Sequence, residues 1–231
     1  MLAKDIMTMN VITVSPDDRV EEIAKLLLER GISAAPVVEE DGGLLGIVSE
    51  GDLIRRCVGD SEGHRSWWLK LLTGPADRAR DYVKIHGHRV KDVMTPDVVK
   101  VSEDTSIGEI AYVLEKRGIK RVPVVRDGKV VGIVSRANLL HGLAAQKDRA
   151  AMSPSPDDRT IREQIMDVVT REGWVTHGSL NVMVTDGMVE LWGWVDSEDE
   201  RKALILAAEE MAGVAGVQDH LGSVPPYLRG T

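Results

Sequence analysis

Two short stretches each place a hydroxyl and, three residues later, a second polar group where an apolar run ends. In the run Gly46, Ile47, Val48, Ser49, Glu50, Gly51, Asp52 an apolar strand ends on a hydroxyl, and a carboxylate follows three residues later. A carboxylate so placed can accept hydrogen bonds from both hydroxyls of a vicinal diol, and the free amides of a helix start suit a phosphate. The same letters also serve plain helix capping, with serine at the N-cap and an early acid at the positive end of the helix. Both readings stand at Asp52. Further along, Gly132, Ile133, Val134, Ser135, Arg136, Ala137, Asn138 repeats the arrangement with an amide in place of the carboxylate. Asn138 can donate and accept, but it lacks the charge that strengthens a diol contact. Lys120, Arg121 and Arg136 bring positive charge to this second stretch, where the first has Ser33, Ala34 and Glu50. A division of labour is expected, in which Asp52 holds the diol and basic groups of the other stretch reach the phosphates. A solvated loop is the plainer role for Lys120 and Arg121.

The elements that must position these groups occur twice. The segment from Lys4 aligns with the segment from Lys91, with one residue dropped at Asp41-Gly42. About half of the aligned positions are identical, which marks an internal duplication. Each copy predicts strand, helix, strand, turn, strand, helix. In the first, Val11 to Val14 is a short strand, and Val20, Ile23, Ala24 and Leu27 recur at helical spacing. Asp17 and Asp18 favour the helix start, and Gly31 stands where a left-handed cap is wanted. Ala34 to Val38 and Leu44 to Val48 then form a hairpin across a Gly-containing turn, and Ser49 caps a last helix. The second copy repeats this with Ile107, Ile110, Ala111, Leu114, Gly118, strands at Val122 to Val125 and Val130 to Val134 around Asp127-Gly128, and Ser135.

These patterns, with MT followed by two short apolar runs, ERGI before PVV, and DG before GIVS and an Asp or Asn, resemble the CBS-domain family over residues 1 to 147. The resemblance implies an α/β (α+β) fold in which two pseudo-symmetric units, 1–57 and 88–147, pack as a pair and dimerise. It also implies clefts for adenine nucleotides, with AMP, ADP, ATP, NAD and S-adenosylmethionine as candidates for a regulatory ligand and no cofactor required. Ser49 and Asp52 in one copy, and Ser135 and Asn138 in the other, stand at the family's ribose motif. The base slots are expected at Val11, Ile12, Val14 and Pro36, and at Val98, Val99, Val101 and Pro123.

Residues 58–87 form a longer connection than a minimal pair requires. Within it Trp67 and Leu71, and Trp68 and Leu72, stand four apart, as on a helix that packs on the paired units, in a dimer seam, or on a partner or membrane surface. His86 and His88 are too few for a metal, and no metal site is expected. A linker, 148–157, precedes a different pattern: a helix at Thr160 to Val169, strands at Leu180 to Thr185 and Met188 to Val195 joined by Asp186-Gly187, a capping box at Ser197 and Glu200, a helix to about Met211, and a last strand. Trp192 and Trp194 share one sheet face, for burial or for a partner. The stretch from Asp186 to Leu221 is similar to the BON domain, which implies a small αββαβ module over 158–226 and a phospholipid or other hydrophobic contact.

Composition bounds the rest. The chain has 231 residues, 43% of them hydrophobic, and carries 29 Lys and Arg against 37 Asp and Glu. A net charge of −8 argues against a nucleic-acid binder. The charge is uneven: residues 1 to 54 carry 4 basic and 11 acidic groups, 55 to 91 carry 9 and 4, and 153 to 231 carry 6 and 14. The middle can therefore attract an anionic ligand, whereas the acidic tail does not favour anionic lipid. One cysteine, no basic apolar leader and no long apolar run suggest a cytoplasmic location. No phosphate loop, nucleophile elbow or zinc motif is present, so the chain is expected to be a sensor and not an enzyme. The alternative is a dimeric adaptor with unused clefts that meets a protein or membrane through the BON-like module and the tryptophan-containing insert.

Overall fold

The computed structural model describes residues 1–59, 82–84, 86–146, 154–174 and 180–223. Most of the insert, with Trp67 and Trp68, lies outside the described residues. The chain divides into two compact units, Ile12–Val98 and Met1–Val11 together with Val99–Thr231.

In the first unit α1 (Ala3–Ile6) has no part; the unit is built from α2 (Val20–Glu29), β1 (Ala34–Val38), β2 (Leu44–Ser49), α3 (Glu50–Gly59), α4 (Val90–Val93) and β3 (Thr95–Pro96). Val20, Ile23 and Leu27 form the buried stripe of α2, as their spacing predicts, and pack on Ala35, Val37, Val48, Val90 and Val93. The helix does not use Asp17 or Asp18 as a side-chain cap. Arg19 holds the N-cap position, and Asp18 instead accepts from the Ser15 amide at 2.8 Å, closing the turn that precedes it. Gly31 takes φ +60° just past the helix, the left-handed conformation its position calls for. β1 and β2 pair antiparallel from Ala34 with Ser49 to Val38 with Leu44. The strand expected at Val11 to Val14 shrinks to a single parallel bridge between Val14 and Val37. Pro16, which has no amide to donate and restricts the residue before it, follows too closely for the ladder to continue.

The second unit contains α1, β4 (Val101–Ser102), α5 (Ile107–Lys116), β5 (Arg121–Arg126), β6 (Lys129–Ser135) and α6 (Arg136–Gln146). Asp127 and Gly128 both have positive φ, 51° and 82°, which is what a two-residue hairpin turn with the right twist needs. β4 lies parallel to β5, and Ala3, Ile6, Met7, Ile110, Leu114, Val122, Val124 and Val134 form the core.

The repeats of the sequence are offset from the compact units. The opening segment of the first repeat sits on the sheet of the second, where Thr8 bridges Ile133, and the matching segment of the second repeat sits on the sheet of the first, where Thr95 pairs with Ile47. Glycine permits both crossings. A Cβ at Gly46 would stand 2.8 Å from the Thr95 carbonyl oxygen and from the Met94 sulfur, and one at Gly132 would stand 2.3 Å from the Met7 sulfur.

The tail belongs to this second unit and follows the predicted αββαβ order: α7 (Pro156–Glu172), β7 (Asn181–Thr185), β8 (Met188–Val195), α8 (Glu198–Glu209) and β9 (Gly216–Ser223). Its first helix starts inside the expected linker. Ser155 accepts from the Asp158 amide, Asp158 accepts from the Ser155 amide at 2.8 Å, and Pro156 takes the first turn, so three residues that suggest a linker open a helix instead. Val182, Val184, Val189 and Leu191 face the helices α7 and α8, while Met183 and Trp192 face the core of the second repeat. The sheet is thus covered on both sides, and strand alternation sends one set of side chains to each. Among the described residues no helix is long and apolar enough to cross a membrane, and no group of three metal-ligating side chains occurs.

Candidate ligand site

In the first unit β2 ends at Ser49, and α3 begins on the next residue, so Asp52 falls in the first turn of the helix. The two residues meet as the spacing requires. Asp52 Oδ2 accepts from the Ser49 amide at 3.0 Å and from its hydroxyl at 2.7 Å. Asp52 is 7% exposed, and its second oxygen, Oδ1, has Arg55 3.8 Å away as an ion pair too long for a hydrogen bond. One carboxylate oxygen is therefore committed to the helix cap, and the other retains acceptor capacity among the described residues. That matches the demand of two vicinal hydroxyls.

Ser135 and Asn138 make the same local pair in the second unit. Asn138 Oδ1 accepts from the Ser135 amide at 2.8 Å and from its hydroxyl at 2.6 Å. Its amide nitrogen, which a carboxylate would lack, donates to the Ile6 carbonyl at 2.9 Å and to the Thr8 hydroxyl at 3.3 Å. All four bonds of the side chain are made, and the residue is 4% exposed.

Lys120, Arg121 and Arg136 stand together at the base of β5 and the start of α6, with the Arg136 amide donating to the Lys120 carbonyl at 3.1 Å. Asp52 belongs to the other compact unit, so neither unit alone assembles the expected set. The expected base slots divide likewise: Ile12, Val14, Pro36 and Val98 fall in one unit and Val11, Val99, Val101 and Pro123 in the other. Val14 and Val101 are core residues of their units, buried against Val37 and Val124.

Trp192 and Trp194 lie on one face, beside β9. Trp192 is stacked between His141 of α6 and His220 of β9, at centroid separations of 4.5 and 4.0 Å. Trp194 is 51% exposed and lies over Gly222, where a Cβ would come within 2.7 Å of the ring. The first tryptophan joins the tail to the second repeat, and only the second offers itself outward.

Two arginines of α7, which belong to no motif of the sequence, also make buried polar contacts. Arg159 pairs at 2.8 Å with Asp5, whose side chain is fully buried. Arg162 donates to three backbone carbonyls, those of Val182 at 2.5 Å, Lys4 at 2.6 Å and Met7. The only signal for them was two arginines three apart around Ile161 on a buried helix face. A cavity of about 460 Å³ opens beside them, lined in part by Lys4, Glu103, Arg126 and Glu163. Its cations are already matched, Lys4 with Asp104 at 2.6 Å and Arg126 with Glu103 at 2.5 Å, so it does not present a bare anion site.

Two repeats, each with a serine and then an aspartate or asparagine at a strand-to-helix junction, define the CBS pattern. The CBS domain model matches residues 3–59 and 90–145, and the BON domain model matches 157–222; the chain belongs to the CBS-domain proteins and carries a C-terminal BON domain. It is 34% identical over 154 residues to the uncharacterized protein MJ1426 of Methanocaldococcus jannaschii, covering 62% of this chain and 91% of that one. Among solved structures it is similar to CBSX2 of Arabidopsis thaliana in complex with AMP, with a TM-score of 0.55 and 29% identity over 63% of this chain and 98% of that one. The CBS domain pair of MJ0100 in complex with 5′-methylthioadenosine and S-adenosyl-L-methionine gives a TM-score of 0.50 and 26% identity over 64% of this chain and 98% of that one.

Proposed function

We propose that the chain is a non-enzymatic sensor that binds an adenosine-type ligand in its CBS pair and passes the change to a partner through the BON domain. The observation that carries this reading is Asp52, a nearly buried carboxylate with one oxygen fixed by Ser49 and the other retaining acceptor capacity. The adenosine compounds held by CBSX2 and by MJ0100 support the choice of ligand. Lys120, Arg121 and Arg136 are the cations for the phosphates in this reading. Self-association is part of it, because Ile54 and Leu140, which occupy matching places on the last helix of each repeat, are exposed at 59% and 64%.

Isothermal titration of the full chain with AMP, ATP, NAD and S-adenosylmethionine tests the proposal. Saturable binding of at least one of them is expected, and Asp52→Asn should weaken it about tenfold or more, since a charge-assisted bond to a hydroxyl is worth roughly 1.5–3 kcal/mol. No heat with any of the four, from protein stripped of carried ligand, overturns it. The exposed ring of Trp194 favours one second reading, an adaptor that uses the BON domain to meet a hydrophobic partner surface whether or not the CBS pair is occupied.

A further inference from the structure

The two repeats carry the same local motif but differ in what its last residue does with a hydrogen. The Asp52 side chain only accepts, from the Ser49 amide and hydroxyl, whereas the Asn138 amide gives both of its hydrogens to the segment that crosses β6, one to the Ile6 carbonyl and one to the Thr8 hydroxyl. That segment is held from three sides. On the sheet, Thr8 and Ile133 exchange both backbone bonds, at 2.9 and 3.0 Å. From α6, Asn138 ties down Ile6 and Thr8. On the tail side, Arg162 grips the Lys4 and Met7 carbonyls, and Arg159 pairs with Asp5.

We infer that Asn138 has made the ribose position of the second repeat into an internal latch, which takes no ligand and instead fixes residues 3–8 as the docking strip for the BON domain. A diol arriving at Asn138 finds no unused donor or acceptor, since Oδ1 already accepts twice and the nitrogen already donates twice. To bind there a ligand must first break the bonds to Ile6 and Thr8, and those bonds hold the strip whose Lys4 and Met7 carbonyls the BON domain's Arg162 requires. Asn138 thus decides which repeat senses and which repeat couples. The exclusion of ligand rests on the reading of the serine and acid motif as a ribose site; the latch on residues 3–8 does not.

Asn138→Asp is close to isosteric, removes both donated bonds and restores the carboxylate. Hydrogen exchange on the full chain, followed at the Thr8 and Ile133 amides, is expected to quicken about 10-fold or more in this variant, the loss of two hydrogen bonds to a buried segment. Thr8→Val, which removes only one acceptor, gives a smaller rise of about 2- to 10-fold and serves should the aspartate variant fail to fold. Equilibrium dialysis with AMP is expected to give one molecule per wild-type chain and two per Asn138→Asp chain. Unchanged exchange in both variants overturns the latch. Two molecules of AMP per wild-type chain, or one per Asn138→Asp chain despite faster exchange, overturns the exclusion of ligand by Asn138. If none of AMP, ATP, NAD and S-adenosylmethionine binds either chain, the sensor reading fails, and faster exchange still upholds the latch while unchanged exchange removes it.

Discussion

Arg162 is 4% exposed, and burial pushes its guanidinium down to about 10, against the opposing pull of Asp5 and Glu163. At neutral pH it therefore remains a cation inside the protein, tolerated because three carbonyls meet its fork. Replacing it by methionine keeps the volume but leaves those carbonyls without their donor. Arg162→Met should lower stability by about 2–5 kcal/mol, the range for breaking a buried charged network. Urea unfolding of the full chain measures this, and a loss below about 0.5 kcal/mol, typical of an exposed position, would remove Arg162 from its structural role. Asp52 differs from Arg162 in the range of its contacts. Ser49 and Asp52 are three residues apart, so their bond is a local event that spacing announces. Arg162 reaches Lys4 and Met7 across more than 150 residues, and nothing in its neighbours names those carbonyls.

Elements fixed by local chemistry were legible in the same way. Asp127-Gly128 and Asp186-Gly187 both fold as two-residue turns with positive φ at each position, and the apolar spacing of α2 and α5 matches the buried Val20, Ile23 and Leu27 and the buried Ile110 and Leu114, whereas Ala111 of the expected stripe is exposed. The exchange of opening segments between the two sheets was not legible, because each segment has the same letters and hydrophobic pattern as its counterpart, and only tertiary contact decides which sheet it joins. Its trace is the glycine in each GIVS motif. Gly46→Ala sets a methyl 2.8 Å from the Thr95 backbone oxygen, so β3 must move away from β2. A loss of about 1–3 kcal/mol is expected for that overpacking. Gly108 provides the opposite case, since it lies within α5 with nothing within 4 Å of its Cβ position. Gly108→Ala should stabilise by up to about 1 kcal/mol, the difference in helix propensity. Thermal melts of the two variants beside the parent check the pair, and a Gly46→Ala chain as stable as Gly108→Ala would contradict the steric account of the crossing.

At the scale of the whole molecule, the tail is not a module on a tether, since Met183 and Trp192 enter the core of the second repeat together with Ala3, Ile6 and Met7. This joint contains a group that titrates. His141 on α6 stacks on Trp192, which stacks in turn on His220, and the Trp192 indole donates to Glu190 at 3.1 Å. The Nδ1 atom of His141 is buried without a hydrogen-bond partner. Burial first, and then the nearby His220, push the His141 imidazole below its usual range. A histidine depressed in the folded state binds fewer protons there than in the unfolded chain, so stability rises with pH across its titration. The stability is present above the ordinary value of about 6.5 and is lost as pH falls through the lowered folded value. Melting temperatures of the full chain should therefore drop between pH 7.5 and pH 5, with the junction of tail and second repeat as the source. His141→Gln keeps a planar polar group against Trp192 but does not titrate, and it should flatten the part of the slope that begins near pH 6.5. An unchanged slope in that variant would place the acid sensitivity elsewhere, whereas a flattened slope would make the His141–Trp192 contact the point at which mild acid loosens the BON domain from the repeat that carries it.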